Sequence, residues 1–144
     1  MSGSIPAARQ HLIAAIADSG RRLRGRTPGA RLDEFIASYY RGVDEDDLRT
    51  HTPAALAAAA AAHLDFGAER RPGTPKVRVY NPPIVEGSPA ATVIEIVIDD
   101  MPFLVDSMAM VLGQSGLSMQ FMVHPLLQAF RDRAGRLKGF GAEA

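Results

Sequence analysis

Three carboxylates gather where an aliphatic run ends: Asp99 and Asp100, with Asp106 shortly after, in the stretch DDMPFLVDS. Paired acids can do general acid–base chemistry when one is held protonated at the working pH. The same stretch reads as a strand end passing into a helix start. A helix start exposes free N–H groups and a partial positive charge that suit a carboxylate or another anion. Two chemistries therefore compete at Asp99, Asp100, Met101, Pro102, Phe103, Leu104, Asp106 and Ser107: a small enzyme built on the carboxylates, or a ligand or interface site. The three acids oppose an anionic ligand by supplying negative charge themselves. A simpler reading is favoured on physical grounds, in which Asp100 caps the helix and Pro102 sits in its first turn. His124, directly before Pro125, is the remaining candidate, facing this corner, a partner or solvent.

No catalytic constellation is found elsewhere. A glycine-rich phosphate loop after a strand is missing, and so is a serine in a nucleophile elbow. His11, His51, His63 and His124 are scattered, and none pairs with another at metal-ligand spacing. The acids Asp44, Glu45, Asp46 and Asp47 lack the alternation of a calcium loop; Asp44 reads as the cap of a short helix. Neither catalytic residues nor a metal site, nor a cofactor bound by this chain, is expected.

The elements that would position the corner fall into two halves, divided near Pro72–Pro75. Segment 1–71 reads as helical and segment 76–144 as α+β, the two forming one compact unit. The first helix is expected from Pro6 to Leu23, with arginines Arg21, Arg22, Arg24 and Arg26 crowding its end and Gly25, Pro28 and Gly29 making the break. Leu32, Phe35, Ile36, Tyr39, Tyr40 and Val43 recur at helical spacing as one apolar stripe, with the tyrosine hydroxyls reaching outward. Thr52–Pro53 opens an alanine-rich helix whose narrow face carries Leu56, Ala60, His63 and Leu64, with His63 structural. Val77 and Val79 alternate with Lys76, Arg78 and Tyr80 as a half-buried strand. Thr92–Ile98 is the strongest strand. A helix over Phe103–Ser115 stops at Gly116. Leu117–Val123 reads as a strand interrupted by Pro125, and Leu126–Phe130 continues it. Arg131–Arg136 is a hairpin turn using Gly135, and Leu137–Phe140 returns.

Composition narrows the function classes. The chain of 144 residues is 47% hydrophobic and 22% charged, in the globular range. A formal net charge of +0 argues against a general nucleic-acid binder. Cysteine is absent, which removes disulfides, thiolate zinc sites and cysteine nucleophiles and fits a reducing cytoplasm. The N-terminus has no signal-peptide pattern, and Ala54–Ala62 is too short to span a bilayer. A cytoplasmic protein without membrane or nucleic-acid partners is expected.

The order strand, D-x-P-x-L corner, helix, strand, hairpin, strand resembles an ACT domain, a regulatory module of ferredoxin-like topology. The run VIEIVIDDMPFLVDSMAMVL, then HPLLQAFRDRAGRL, with YYRGVDEDDL upstream and KVRVYNP between, closely resembles the N-terminal region of the large bacterial NAD-specific glutamate dehydrogenases. The likeness runs from about Arg31 to Leu137. It implies a partly incomplete ACT-like antiparallel sheet with one crossing helix. It further implies a parent enzyme that converts glutamate to 2-oxoglutarate with NAD, its catalytic segments lying outside this chain. The module would regulate or assemble that enzyme, contacting its other domains, within a homo-oligomer and with a possible amino-acid effector. A freestanding amino-acid-binding protein is the alternative. Amino-acid-binding ACT domains usually carry glycine after the proline; here Phe103 stands there, which crowds the usual pocket and suits an interface anchor instead. The chain stops short of a full βαββαβ unit, so Val77–Tyr80 is expected to pair antiparallel with Thr92–Ile98, with the first-half helices covering the open face.

Overall fold

The computed structural model describes residues 7–23 and 32–142. The elements are α1 (Ala7–Arg21), α2 (Leu32–Tyr39), α3 (Glu45–Leu48), α4 (Pro53–Phe66), β1 (Lys76–Tyr80), β2 (Val93–Val97), α5 (Leu104–Gln114), β3 (Leu127–Arg131) and β4 (Leu137–Ala142). This is an α+β fold with two separate antiparallel pairs, β1–β2 and β3–β4. Among the described residues no helix is long and apolar enough to cross a membrane. Arg24, Arg26 and the Gly25–Gly29 break lie outside the described residues.

The core belongs to the helices. Ile16 and Ala17 of α1, Phe35, Ile36 and Tyr39 of α2, and Leu56, Ala57, Ala60 and Leu64 of α4 are buried together with Tyr40, Val43 and Leu48. The stripe on α2 outlasts the helix. Regular helix stops at Tyr39, where Arg41 N–H reaches Ser38 O at 3.4 Å and Val43 N–H reaches Tyr40 O at 3.2 Å. These tightened turns use carbonyls that the helix leaves unpaired and keep Tyr40 and Val43 in the core. Arg9 of α1 reaches the turn beyond the helix, donating to the carbonyls of Tyr40 (2.9 Å), Arg41 (2.6 Å) and Val43.

Both tyrosines point inward, contrary to the sequence expectation that their hydroxyls reach out. Tyr40 OH donates to Leu56 O at 2.6 Å, and Tyr39 OH pairs with His63 Nδ1 at 2.9 Å. Burial pushes both phenols well above the ordinary tyrosine value, so they act as neutral hydrogen-bond donors. His63 Nε2 meets the carbonyl of Ile96 at 3.2 Å. A carbonyl only accepts, so Nε2 carries the proton and Nδ1 accepts from Tyr39. His63 is thus a structural bridge from α2 to β2.

α4 starts as its sequence predicts: Thr52 Oγ1 accepts from Ala55 N–H at 3.2 Å and Pro53 occupies the first turn. α3 does not. Asp44 stands at its N-cap position, but the side chain makes no capping hydrogen bond.

β1 and β2 pair in the expected antiparallel ladder, with Lys76 opposite Val97, Arg78 opposite Glu95 and Tyr80 opposite Val93. The face that turns toward the helices is the unexpected one. Val77 and Val79 are 57% and 61% exposed, while Glu95 is only 3% exposed. The polar side of β1 covers α4 instead. Lys76 Nζ donates to Phe66 O (2.7 Å) and Glu69 O (2.9 Å) at the end of α4. Arg78 donates to Ala62 O at 3.2 Å, ion-pairs with Glu95, and stacks between the rings of Phe66 and Tyr80. The unpaired Phe66 carbonyl and the partial negative charge at the end of α4 attract these cations, so the basic residues of β1 and not its valines turn inward.

Leu117–Val123 forms no strand. Both edges of each two-stranded sheet are left without it, and its alternation is used differently: Phe121 and Val123 pack on the helical core while Leu117 and Met119 stay exposed. Pro125 cannot donate to a ladder, and pairing begins only at Leu127. The β3–β4 hairpin closes as predicted through 131–136. Asp132 Oδ1 accepts from the amides of Ala134 and Arg136 at 2.9 and 3.0 Å, and Gly135 adopts φ +82°. Gly135 is also where the hairpin meets the segment between α4 and β1: Arg70 N–H donates to Gly135 O at 2.9 Å, and a Cβ on Gly135 would lie 2.2 Å from Arg70 O.

Removing Arg78 leaves the Glu95 carboxylate enclosed without its cation. Because Arg78 is itself partly exposed, Arg78→Ala is expected to cost about 2–3 kcal/mol, below the full range for a wholly buried pair. Urea unfolding of Arg78→Ala and of Arg78→Met with Glu95→Gln checks this; the double variant is expected to recover most of the loss.

Candidate functional site

The Asp99–Ser107 corner lies beyond β2, and α5 leaves it. Asp99 is exposed but held: its Oδ1 accepts from Arg70 Nη1 at 3.0 Å, and Arg70 Nε donates to Thr74 O at 2.8 Å. The hydrogen bond and charge of Arg70 hold the Asp99 carboxyl below the ordinary carboxylate value. An acid fixed in its ionised form is a poor proton donor near neutrality. Asp100 makes no hydrogen bond among the described residues and does not cap α5, and Pro102 lies before the helix instead of in its first turn.

The N-cap of α5 is Phe103, with φ +63° and ψ +12° and no side-chain cap. It is the one non-glycine residue with positive φ among those described. Its carbonyl accepts from Ser107 N–H at 2.9 Å, starting the helix, while the residue is 76% exposed. The position after the proline thus has a backbone suited to glycine but carries a phenyl group. Asp106 sits in the first turn, where the helix dipole favours an acid. Met101 is exposed and Leu104 is half-buried. α5 buries no residue. It ends at Gly116 as predicted, with Leu117 N–H to Leu112 O at 2.9 Å and Gly116 N–H to Gly113 O at 3.1 Å.

His124 is set apart from these residues. It lines a groove of about 240 Å³ with Ser38, Arg41, Gly42, Pro125, Leu126 and Leu127, and no corner residue borders that groove. Ser38, Arg41 and Gly42 were not picked out from the sequence. They lie in the turn that ends α2, and only the return of residues 124–127 alongside them makes the groove. The described residues include no cluster of three or more metal-ligating side chains.

Comparison with known proteins adds the family. The glutamate dehydrogenase ACT1 domain family matches residues 35–144. The chain belongs to that family. It is also 32% identical over 111 residues to an NAD-specific glutamate dehydrogenase of Halomonas elongata, and the alignment covers 76% of this chain and 7% of that protein. The chain therefore spans a small fraction of the length of this relative. No solved structure matches. The resemblance read from VIEIVIDDMPFLVDSMAMVL and HPLLQAFRDRAGRL is thereby established as that of an N-terminal ACT-like region of this enzyme.

Two outcomes follow for this ACT1 domain. Phe103→Gly removes a left-handed phenylalanine, worth roughly 1–2 kcal/mol, against about 0.4–1 kcal/mol of added unfolded-state entropy; denaturant melts are expected to show net stabilisation. The Asp99–Arg70 pair stabilises fully above the unfolded-state carboxyl value near 3.8 and is lost as pH falls through the lowered folded value. Asp99→Asn is therefore expected to melt slightly below the parent at pH 7, with the gap closing as pH drops below 3.8.

Proposed function

We propose that this chain is the non-catalytic N-terminal regulatory and assembly module of an NAD-dependent glutamate dehydrogenase. The parent polypeptide would oxidise the amine-bearing carbon of glutamate to an imine, passing the hydride to NAD, and water would then hydrolyse the imine to 2-oxoglutarate and ammonia. The observation that carries this reading is the match of the ACT1 family to residues 35–144, beside a relative of which the chain spans only 7%.

The surface supports the assembly part of the reading. Among the described residues, exposed large hydrophobic side chains, Leu23 apart, all fall between Val77 and Phe130, outside the helical half. Val77, Val79 and Ile94 share the outer face of β1–β2, and Phe103, Met110 and Val111 project from the region of α5. Apolar surface of this extent suits contact with other domains of the parent or with a second copy in a homo-oligomer. The corner from Asp99 to Ser107 is assigned to such contacts, with Phe103 as the anchor. The compartment proposed is the cytoplasm.

The test is the size of the native polypeptide. An antibody raised against this domain is expected to detect a band many times larger than 15.4 kDa in source-cell lysate, and the band is expected to co-purify with NAD-dependent glutamate oxidation. A band near 15.4 kDa would overturn the reading.

A further inference from the structure

The groove beside His124 is chemically one-sided. Ser38, Arg41, Gly42 and His124 offer hydrogen-bond donors, Pro125, Leu126 and Leu127 supply apolar wall, and no acidic residue lines it. The side chains of Ser38, Arg41 and His124 and the amide of Gly42 have no hydrogen-bond partner among the described residues. The end of a helix such as α2 normally presents carbonyls that repel an anion. Here Arg9 donates to the carbonyls of Tyr40, Arg41 and Val43, in the turn that follows α2, which leaves those carbonyls unavailable to Arg41. Arg41 is therefore not needed to cap its own helix. A volume of about 240 Å³ holds roughly eight water molecules, which suits a metabolite and not a peptide.

We propose that this groove binds a small organic acid. One carboxylate is taken by Arg41, His124 and the Gly42 amide, and the carbon chain lies against Pro125, Leu126 and Leu127. A planar guanidinium matches the two oxygens of a carboxylate, and the apolar wall distinguishes such a ligand from inorganic phosphate. The site stands on the groove's own chemistry. Only its regulatory meaning rests on the function proposed above, so binding is read on this chain without reference to dehydrogenase activity.

The test is an amide NMR titration of the 144-residue chain with succinate, glutamate, 2-oxoglutarate and, separately, inorganic phosphate. Saturable shifts are expected at Gly42 and His124 with at least one organic acid. Affinity is expected to fall about tenfold or more in Arg41→Gln, as loss of a charge-assisted contact implies, to recover partly in Arg41→Lys, and to stay unchanged in Phe103→Ala. Gly42→Asp places a like charge where a new Cβ meets no atom within 4 Å; it is expected to abolish binding while the spectrum stays dispersed, and it replaces Arg41→Gln should that chain unfold. The proposal is overturned by absence of saturable shifts with every organic acid, by shifts centred on Met101 and Phe103, by indifference to these substitutions, or by phosphate binding as tightly as the organic acids.

Discussion

The ion pair between Arg78 and Glu95 decides how the two halves of the chain face each other. The residues lie directly opposite on β1 and β2, and the carboxylate is almost wholly enclosed. Because side chains alternate along a strand, placing Glu95 inward also places Val93 and Val97 inward and turns Ile94 outward. Its partner strand follows, with Lys76, Arg78 and Tyr80 in and the two valines out. A slip of one residue would pull the carboxylate into water and drive the aliphatic face onto α4. Arg78 makes that slip costly, because its guanidinium also holds Ala62 O and the faces of Phe66 and Tyr80.

The unpartnered apolar surface is the other side of this arrangement. An aliphatic strand pair would ordinarily use its better face for its own core. Here the helices have completed a core without the sheet, from Ile16 to Leu64, and they accept the sheet through carbonyls, a histidine and cation–aromatic stacking. The aliphatic face, with Val77, Val79 and Ile94, is left exposed.

Much of this was legible in the sequence. The period of Leu32 to Val43, the Thr52–Pro53 start, the Gly116 stop and the Gly135 turn are local signals with local causes, and each held. Antiparallel pairing of β1 with β2 followed from the need to fill a sheet edge. What was not legible depended on distant partners. The facing of Val77 and Val79 was set by the carbonyls of α4 and by Glu95, and alternation alone cannot say which of two faces is inside. Leu117–Val123 has the alternation of a strand, but Phe121 and Val123 found the helical core and no neighbouring strand was available. At the corner, the acids suggested a cap, whereas Phe103 starts α5 from a left-handed backbone that residue type argues against. The groove at His124 joins residues separated by more than half the chain, and no spacing rule connects them.

The two sheets share no ladder, yet they are not independent. Residues 68–70 clasp the hairpin through Leu137 N–H to Ala68 O at 2.7 Å and Arg70 N–H to Gly135 O, with Glu69 bridged to Arg136. The Arg70 side chain meanwhile holds Asp99, at the exit of the other sheet. One short strip of backbone therefore serves as a common strap. Its length is fixed at both ends, so even a single inserted residue would detach one sheet or the other. Across related chains, this strip should keep its length and the arginine at position 70 that reaches Asp99.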